Sequence, residues 1–153
     1  RAVDTMRKVI KDVEKSRHNI SKNSPQRELE INKRYISNAI CANACAISDK
    51  VKAKAIITAT YSGYNTIKTS SYRPAAYIYA FTNNHTILNT LSLVWGVKGF
   101  HYTGGITTDQ TVLETKEILT KLKYVRKGDM VLNIASMPAK ERGMTNMMKL
   151  SKV

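Results

Sequence analysis

Residues 53–66 read AKAIITATYSGYNT, and the change of character in the middle of this stretch sets the fold class. Its first half, Ala53 to Thr60, is short, apolar and β-branched, which is strand composition. At Tyr61-Ser62-Gly63 a turn hands the chain to a helical stretch over Asn65 to Ser71. The alternation continues downstream. Ala76 to Thr82, Val97 to Thr103 and Met130 to Ala135 have strand length and content, and helices fit at Thr86 to Leu93 and Thr108 to Leu122. Strands alternating with helices predict right-handed crossovers and a parallel sheet covered on both faces. In the last of these helices Val112, Ile118, Leu119 and Leu122 share one side, while Glu114, Lys116, Glu117 and Lys121 share the other. The final run, Asn146 to Val153, follows Met130 to Ala135 with no room for a crossover helix, so it is expected antiparallel and at an edge.

Upstream, a long helix is expected from Glu28 to Lys50, with Leu29, Ile36, Ile40, Ala44 and Ile47 as its apolar positions and small residues at 39–46 for close packing. Before it lies a polar segment, His18 to Arg27. Val3, Met6, Val9, Ile10 and Val13 then mark an amphipathic helix over Ala2 to Ser16. The 153 residues suffice for one ordinary core.

The net charge of +14 raises the possibility of a nucleic-acid partner. Its distribution argues otherwise: residues 1–54 hold 13 basic and 6 acidic side chains and residues 55–153 hold 12 and 5, so each part carries +7 with no basic tail or stripe. No apolar run is long enough to span a bilayer and no secretory pattern opens the chain, so a cytoplasmic protein with neither a membrane nor a nucleic-acid partner is expected. Cys41 and Cys45 stand four apart, unlike C-x-x-C sites, and read as small buried residues.

Catalytic and metal constellations are missing from the sequence. His18, His85 and His101 fall in a linker, at a helix start and in a strand, away from any Cys or carboxylate cluster. The expected catalytic and metal-ligating sets are therefore empty. The informative local feature is the turn Thr60-Tyr61-Ser62-Gly63-Tyr64-Asn65-Thr66, which aims backbone N–H groups and hydroxyls at a point beside a helix N-terminus, where a phosphate is favoured. The alternative is that Ser62 or Asn65 simply caps the helix. A second loop, residues 137–145, carries Lys140 and Arg142 after another strand. If the strands before the two loops are neighbours, both loops flank one crevice.

Together, Ala53-Lys54-Ala55-Ile56-Ile57, Thr60-Tyr61-Ser62-Gly63, Tyr72-Arg73-Pro74, Leu93-Val94-Trp95-Gly96-Val97, Lys127-Gly128-Asp129 and residues 143–150, GMTNMMKL, resemble the C-terminal domain of pyruvate kinases in order and spacing. Ala2 to Glu14 similarly resembles the last helix of that family's (β/α)8 barrel. The resemblance implies an α/β fold of three αβα layers, with a mixed five-stranded sheet whose last strand is antiparallel at the edge. It implies residues 1–17 as the end of an absent barrel, 18–27 as a linker and 28–153 as the α/β domain. It also implies that the strands before the two loops are adjacent and hold a phosphorylated effector, with Thr60, Tyr61, Ser62, Gly63, Tyr64 and Asn65 on one side and Lys140, Arg142 and Gly143 on the other. The implied partners are the chain's own barrel domain, further copies of itself and that effector.

The parent activity implied is the glycolytic transfer of a phosphoryl group from phosphoenolpyruvate to ADP, with Mg²⁺ and K⁺ and with catalytic residues on the barrel; none of those motifs occurs here. The piece itself is expected to be inactive and to need no cofactor. Tyr61 and Tyr64 stand where many members carry Lys or Glu and Arg, and Asn65 replaces a hydroxyl residue. Three outcomes stay open: Lys68, Lys140 and Arg142 supply the charge, the tyrosines select a planar ligand such as a nucleotide, or the pocket is unregulated.

Overall fold

The computed structural model describes residues 1–16, 34–105, 107–137 and 144–153. The chain divides into two units, Arg1–Glu30 and Ile31–Val153. The first contains α1 (Ala2–Ser16), whose apolar positions Val3, Met6, Val9, Ile10 and Val13 form an exposed stripe. The polar segment 18–27, and with it His18 and the expected domain boundary, lies outside the described residues.

The second unit runs α2 (Tyr35–Lys50), β1 (Ala55–Ala59), α3 (Tyr64–Ser71), β2 (Tyr77–Thr82), α4 (His85–Leu91), β3 (Val97–His101), α5 (Thr108–Lys121), β4 (Met130–Ala135) and β5 (Met147–Lys152). Every strand and helix expected downstream of residue 53 is present, with ends moved by one or two residues. The sheet order is β3-β2-β1-β4-β5, parallel except for the antiparallel β4–β5 pair at the edge. The mixed five-stranded α/β sheet expected from the sequence is what forms.

Side-chain alternation sorts the two faces. Ile56 and Leu132 meet Ala44 and Cys45 of α2 on one face, which α3 and α4 share. Ala55, Ile57, Tyr79, Phe81 and Val131 meet Leu119 of α5 on the other. Fully burying such a side chain contributes on the order of 1.5–3 kcal/mol, so these two clusters hold the layers together.

Two helices bury a different stripe from the one their largest residues suggest. On α2 the buried positions are Ser37, Cys41, Ala44, Cys45 and Ser48, whereas Ile36 is exposed and Ile40 and Ile47 are half-buried. Small side chains win this face because α3 comes close. The Cys41 thiol donates to Asn65 O at 3.6 Å and the Cys45 thiol to Thr69 O at 3.7 Å, and burial pushes both thiols up from the usual thiol range. Both cysteines are free and buried, as their spacing predicts. On α5 the buried stripe is Thr108, Val112, Thr115 and Leu119, and Leu122 at the C-cap is exposed.

Three helices stop in the same way, with a basic residue in the left-handed region: Lys52 after α2, Arg73 after α3 and Lys123 after α5. At Lys123 the following N–H groups complete a Schellman pattern, Lys123 N–H to Thr120 O and Tyr124 N–H to Leu119 O. A cation there also complements the negative end of the helix dipole.

Candidate functional site

The parallel partners of β1 are β2 on one side and β4 on the other, so strand order reverses between β1 and β4. Beyond the carboxyl ends of these two strands lies the crevice where ligands collect in open α/β sheets. The adjacency that the two-loop expectation required is present.

The β1–α3 turn is held from within. Thr60 Oγ1 accepts the Gly63 N–H at 2.9 Å, and the Thr60 N–H donates to Phe81 O. Gly63, at φ 78°, is the N-cap of α3, and no side chain caps the helix. Neither Ser62 nor Asn65 is therefore the cap, contrary to the alternative reading of this turn. The chain needs a left-handed residue to enter α3 here, and glycine adopts that conformation without a Cβ penalty. The first intrahelical bond is Ile67 N–H to Gly63 O, so the N–H groups of Tyr64, Asn65 and Thr66 precede it and point out of the helix end.

The side chains of the turn go different ways. Ser62 is exposed and Tyr61 is half-exposed. Asn65 is buried and its amide donates to Ala59 O at 3.2 Å, while its Oδ1 accepts from the Thr66 hydroxyl. Thr66 in turn shares a 2.7 Å hydrogen bond with Thr58 of β1. Tyr64 leans back onto α2, its hydroxyl donating to Asn38 Oδ1 at 2.6 Å. Lys68 lies further along α3, its ammonium 5.3 Å from the Tyr72 ring centroid.

A cation reaches the turn from a place the sequence reading passed over. The Arg34 guanidinium sits 4.0 Å from the Tyr64 ring centroid, delivered by the residue just before α2. Arg34 is thirty positions from Tyr64, and only the spacing of α2 against α3 could have signalled the meeting.

On the β4 side, Lys140, Arg142 and Gly143 lie outside the described residues. The flanks of their loop are described and tied together. Asn146 accepts the Met137 N–H and donates to Met137 O, both at 2.7 Å, and the Ser136 hydroxyl donates to Met144 O. Thr145 N–H donates to Ser37 Oγ of α2 at 2.9 Å. The first turn of α2 thus touches both sides of the crevice, through Asn38 to Tyr64 and through Ser37 to Thr145.

Three comparisons bear on this arrangement. The family model described as pyruvate kinase, alpha/beta domain, matches residues 38–151. The chain belongs to this family. Among curated relatives, a pyruvate kinase of Clostridium acetobutylicum is 32% identical over 152 residues, covering 99% of this chain and 32% of that protein. A pyruvate kinase of Lactobacillus delbrueckii subsp. bulgaricus is 34% identical over 115 residues, 75% of this chain and 20% of that protein. The chain therefore spans between a fifth and a third of the length of these relatives. Among solved structures, a pyruvate kinase from Cryptosporidium parvum superposes with a TM-score of 0.69 at 23% identity, over 76% of this chain and 22% of that one, which is a likeness of fold.

Several family-like segments serve packing in this member. Arg73 lies 4.7 Å from the Trp95 ring centroid, and the Ser70 hydroxyl donates to Trp95 O at 2.6 Å. In the Lys127-Gly128-Asp129 turn the Asp129 carboxylate accepts the Arg126 N–H at 2.8 Å. His85 and His101 stack at 4.2 Å between ring centroids. Among the described residues no group of three or more His, Cys, Asp or Glu could hold a metal ion. No described helix is long and apolar enough to cross a membrane.

Proposed function

We propose that this chain is the effector-binding and assembly domain of a pyruvate kinase. The whole protein would transfer phosphoryl from phosphoenolpyruvate to ADP with Mg²⁺ and K⁺ in the cytoplasm, while this piece performs no catalysis. The carrying observation is the crevice at the β1–β4 strand reversal, where the start of α3 is capped by no side chain and Arg34 stacks on Tyr64 beside it. The N–H groups of Tyr64 to Thr66 and the Ser62 hydroxyl are donors suited to a phosphate, and the helix dipole favours its charge. Charge-assisted hydrogen bonds of this kind contribute about 1.5–3 kcal/mol each. Lys140 and Arg142, in the loop after β4, are the proposed cations of the opposite side.

The test is calorimetric titration of wild type and Ser62→Ala with fructose 1,6-bisphosphate, glucose 6-phosphate, ribose 5-phosphate and AMP. At least one of these ligands should bind wild type below millimolar concentration, and Ser62→Ala should bind it about tenfold more weakly, the equivalent of one lost hydrogen bond to a charged group. Lys140→Ala combined with Arg142→Ala should weaken binding more at low salt than at high salt. Equal binding by wild type and Ser62→Ala, or silence across the panel, would leave a domain with an inert crevice.

A further inference from the structure

A cavity of about 690 Å³ in the Ile31–Val153 unit lies at the opposite end of the sheet from the crevice. It is lined where the parallel strands begin: Lys54 just before β1, Tyr77 at the start of β2, Val97 and Lys98 on β3, and Asp129 just before β4. Strands of this length separate the two ends by on the order of 17 Å, so the two places cannot share one small ligand.

The cavity exists because the two faces of the sheet are covered unequally. Three helices cover one face, whereas the other has α5, which packs through Leu119 over Ala55, Ile57 and Val131. Toward β2 and β3 that second face is surfaced by aromatic rings. Tyr77 and Tyr79 stack at 6.4 Å with 28° between their planes, and Tyr124 from the α5–β4 connection packs on Tyr79 at 5.2 Å. Tyr77 remains 63% exposed, leaving most of its surface available to a partner.

Four cations rim this aromatic wall. Lys98 donates to the Tyr124 hydroxyl and lies 4.5 Å from that ring's centroid. Lys54, Lys123 and Arg126 line the side toward β4, and among the described residues none of the four is in an ion pair. The one carboxylate at the rim, Asp129, already accepts the Arg126 N–H. These cations come from three separate stretches of the chain, so the patch arises only on folding.

A concave site of roughly 300–1,000 Å³ is the size of small-molecule pockets, and an aromatic ring stacks on tyrosine while a phosphate pairs with Lys and Arg. We propose that this cavity is a second ligand site, distinct from the β1–β4 crevice, which takes a mononucleotide-like ligand with its base against Tyr77 and its phosphate among Lys54, Lys123 and Arg126. A half-open cavity of this size, with cations on one side, suits a single nucleotide better than a continuous strand, which needs a groove that tracks the backbone.

The experiment is a ¹⁵N NMR titration of the full 153-residue chain with inosine 5′-monophosphate, inosine, ribose 5-phosphate and a twelve-residue oligonucleotide, each followed by amide shifts. Inosine 5′-monophosphate should move the amides of Gly96, Lys98, Tyr124 and Asp129, and bind about tenfold or more tightly than either half-ligand, since ring and phosphate each contribute. Tyr77→Ala should weaken it about fivefold or more. Lys123→Ala with Arg126→Ala should do likewise, with a larger loss at low salt. These three side chains are exposed, and an unchanged melting temperature would verify the fold of each variant. Ser62→Ala should leave these shifts intact, which separates this site from the effector reading. Shifts confined to residues 60–66, half-ligands as effective as the nucleotide, or preference for the oligonucleotide with a steep salt dependence would overturn the proposal.

Discussion

Tyr64 shows how one side chain can bring a distant cation to a turn. Its hydroxyl bonds Asn38 and its ring carries the Arg34 guanidinium at 4.0 Å, so a cation from α2 stands at a helix start where the turn itself supplies none. If Arg34 serves a bound phosphate there, Arg34→Ala should lower effector affinity about five- to tenfold in low salt, with a smaller loss at high salt because an exposed charge is screened. Titration calorimetry at two ionic strengths reads this directly; a salt-independent affinity equal to wild type would remove Arg34 from the site.

Tyr102 and Glu114 form a second residue-scale device, a 2.5 Å hydrogen bond from the phenol to the carboxylate Oε2. Burial, together with that bond and the neighbouring negative charge, pushes the Tyr102 phenol up to about 12, while the bonds from Tyr102 and Gln110 hold Glu114 below its usual carboxylate range. A raised phenol contributes stability that is complete below its unfolded value of about 10 and is lost as pH rises from there toward 12. A lowered carboxyl contributes stability present above its ordinary range and lost as pH falls through its folded value. Urea midpoints for wild type should therefore drop between pH 10 and 12, and Tyr102→Phe should be less stable at pH 8 with a flatter alkaline limb. An identical alkaline limb in both proteins would contradict the assignment.

Among the elements, the helix ends divide into those that glycine must occupy and those where it would be an improvement. A Cβ on Gly63, at φ 78°, would meet the Ile87 side chain at 3.0 Å, so Gly63→Ala combines backbone strain with a close contact at the start of α3. It should cost about 1–3 kcal/mol and weaken any ligand held by the α3 N–H groups. Lys123 ends α5 at φ 61° with a Cβ, which costs about 1–2 kcal/mol in the left-handed region. Lys123→Gly should relieve part of that and leave the chain as stable or up to about 1 kcal/mol more stable. Thermal melts of the two variants should move in opposite directions, and parallel shifts would refute the distinction.

For the whole molecule the open question is what meets β5. Among the described residues no strand pairs with its outer edge, and Leu150 on it is 41% exposed. Edge strands of this kind recruit partners, and an isologous pair would satisfy both copies at once. Sedimentation of the chain at high micromolar concentration should show a dimer, and Leu150→Lys should shift it toward monomer; a monomer throughout would remove β5 from assembly. The same preparation should show no phosphoryl transfer between phosphoenolpyruvate and ADP above a blank, and turnover that survives repurification would sink that expectation.

The element order, the parallel sheet and its antiparallel last strand were legible from the sequence, because they rest on local composition and on connection lengths. Strand content at 53–60 followed at once by a helix implies a crossover, and the eleven residues between β4 and β5 permit none. The position of the turn between β1 and α3 was legible for the same reason, since Gly63 marks it locally. What could not be read were meetings between distant segments. The buried stripe of α2 follows its smallest residues because α3 approaches closely, a fact of packing that hydrophobicity along one helix does not contain. Arg34 against Tyr64, and the gathering of Lys54, Lys98, Lys123 and Arg126 around three tyrosines, join residues whose separation in sequence is set by the elements between them. Charge spread evenly along the chain became a local patch only when the starts of four strands were brought to one end of the sheet, and that placement is decided by strand order, which tertiary packing alone supplies.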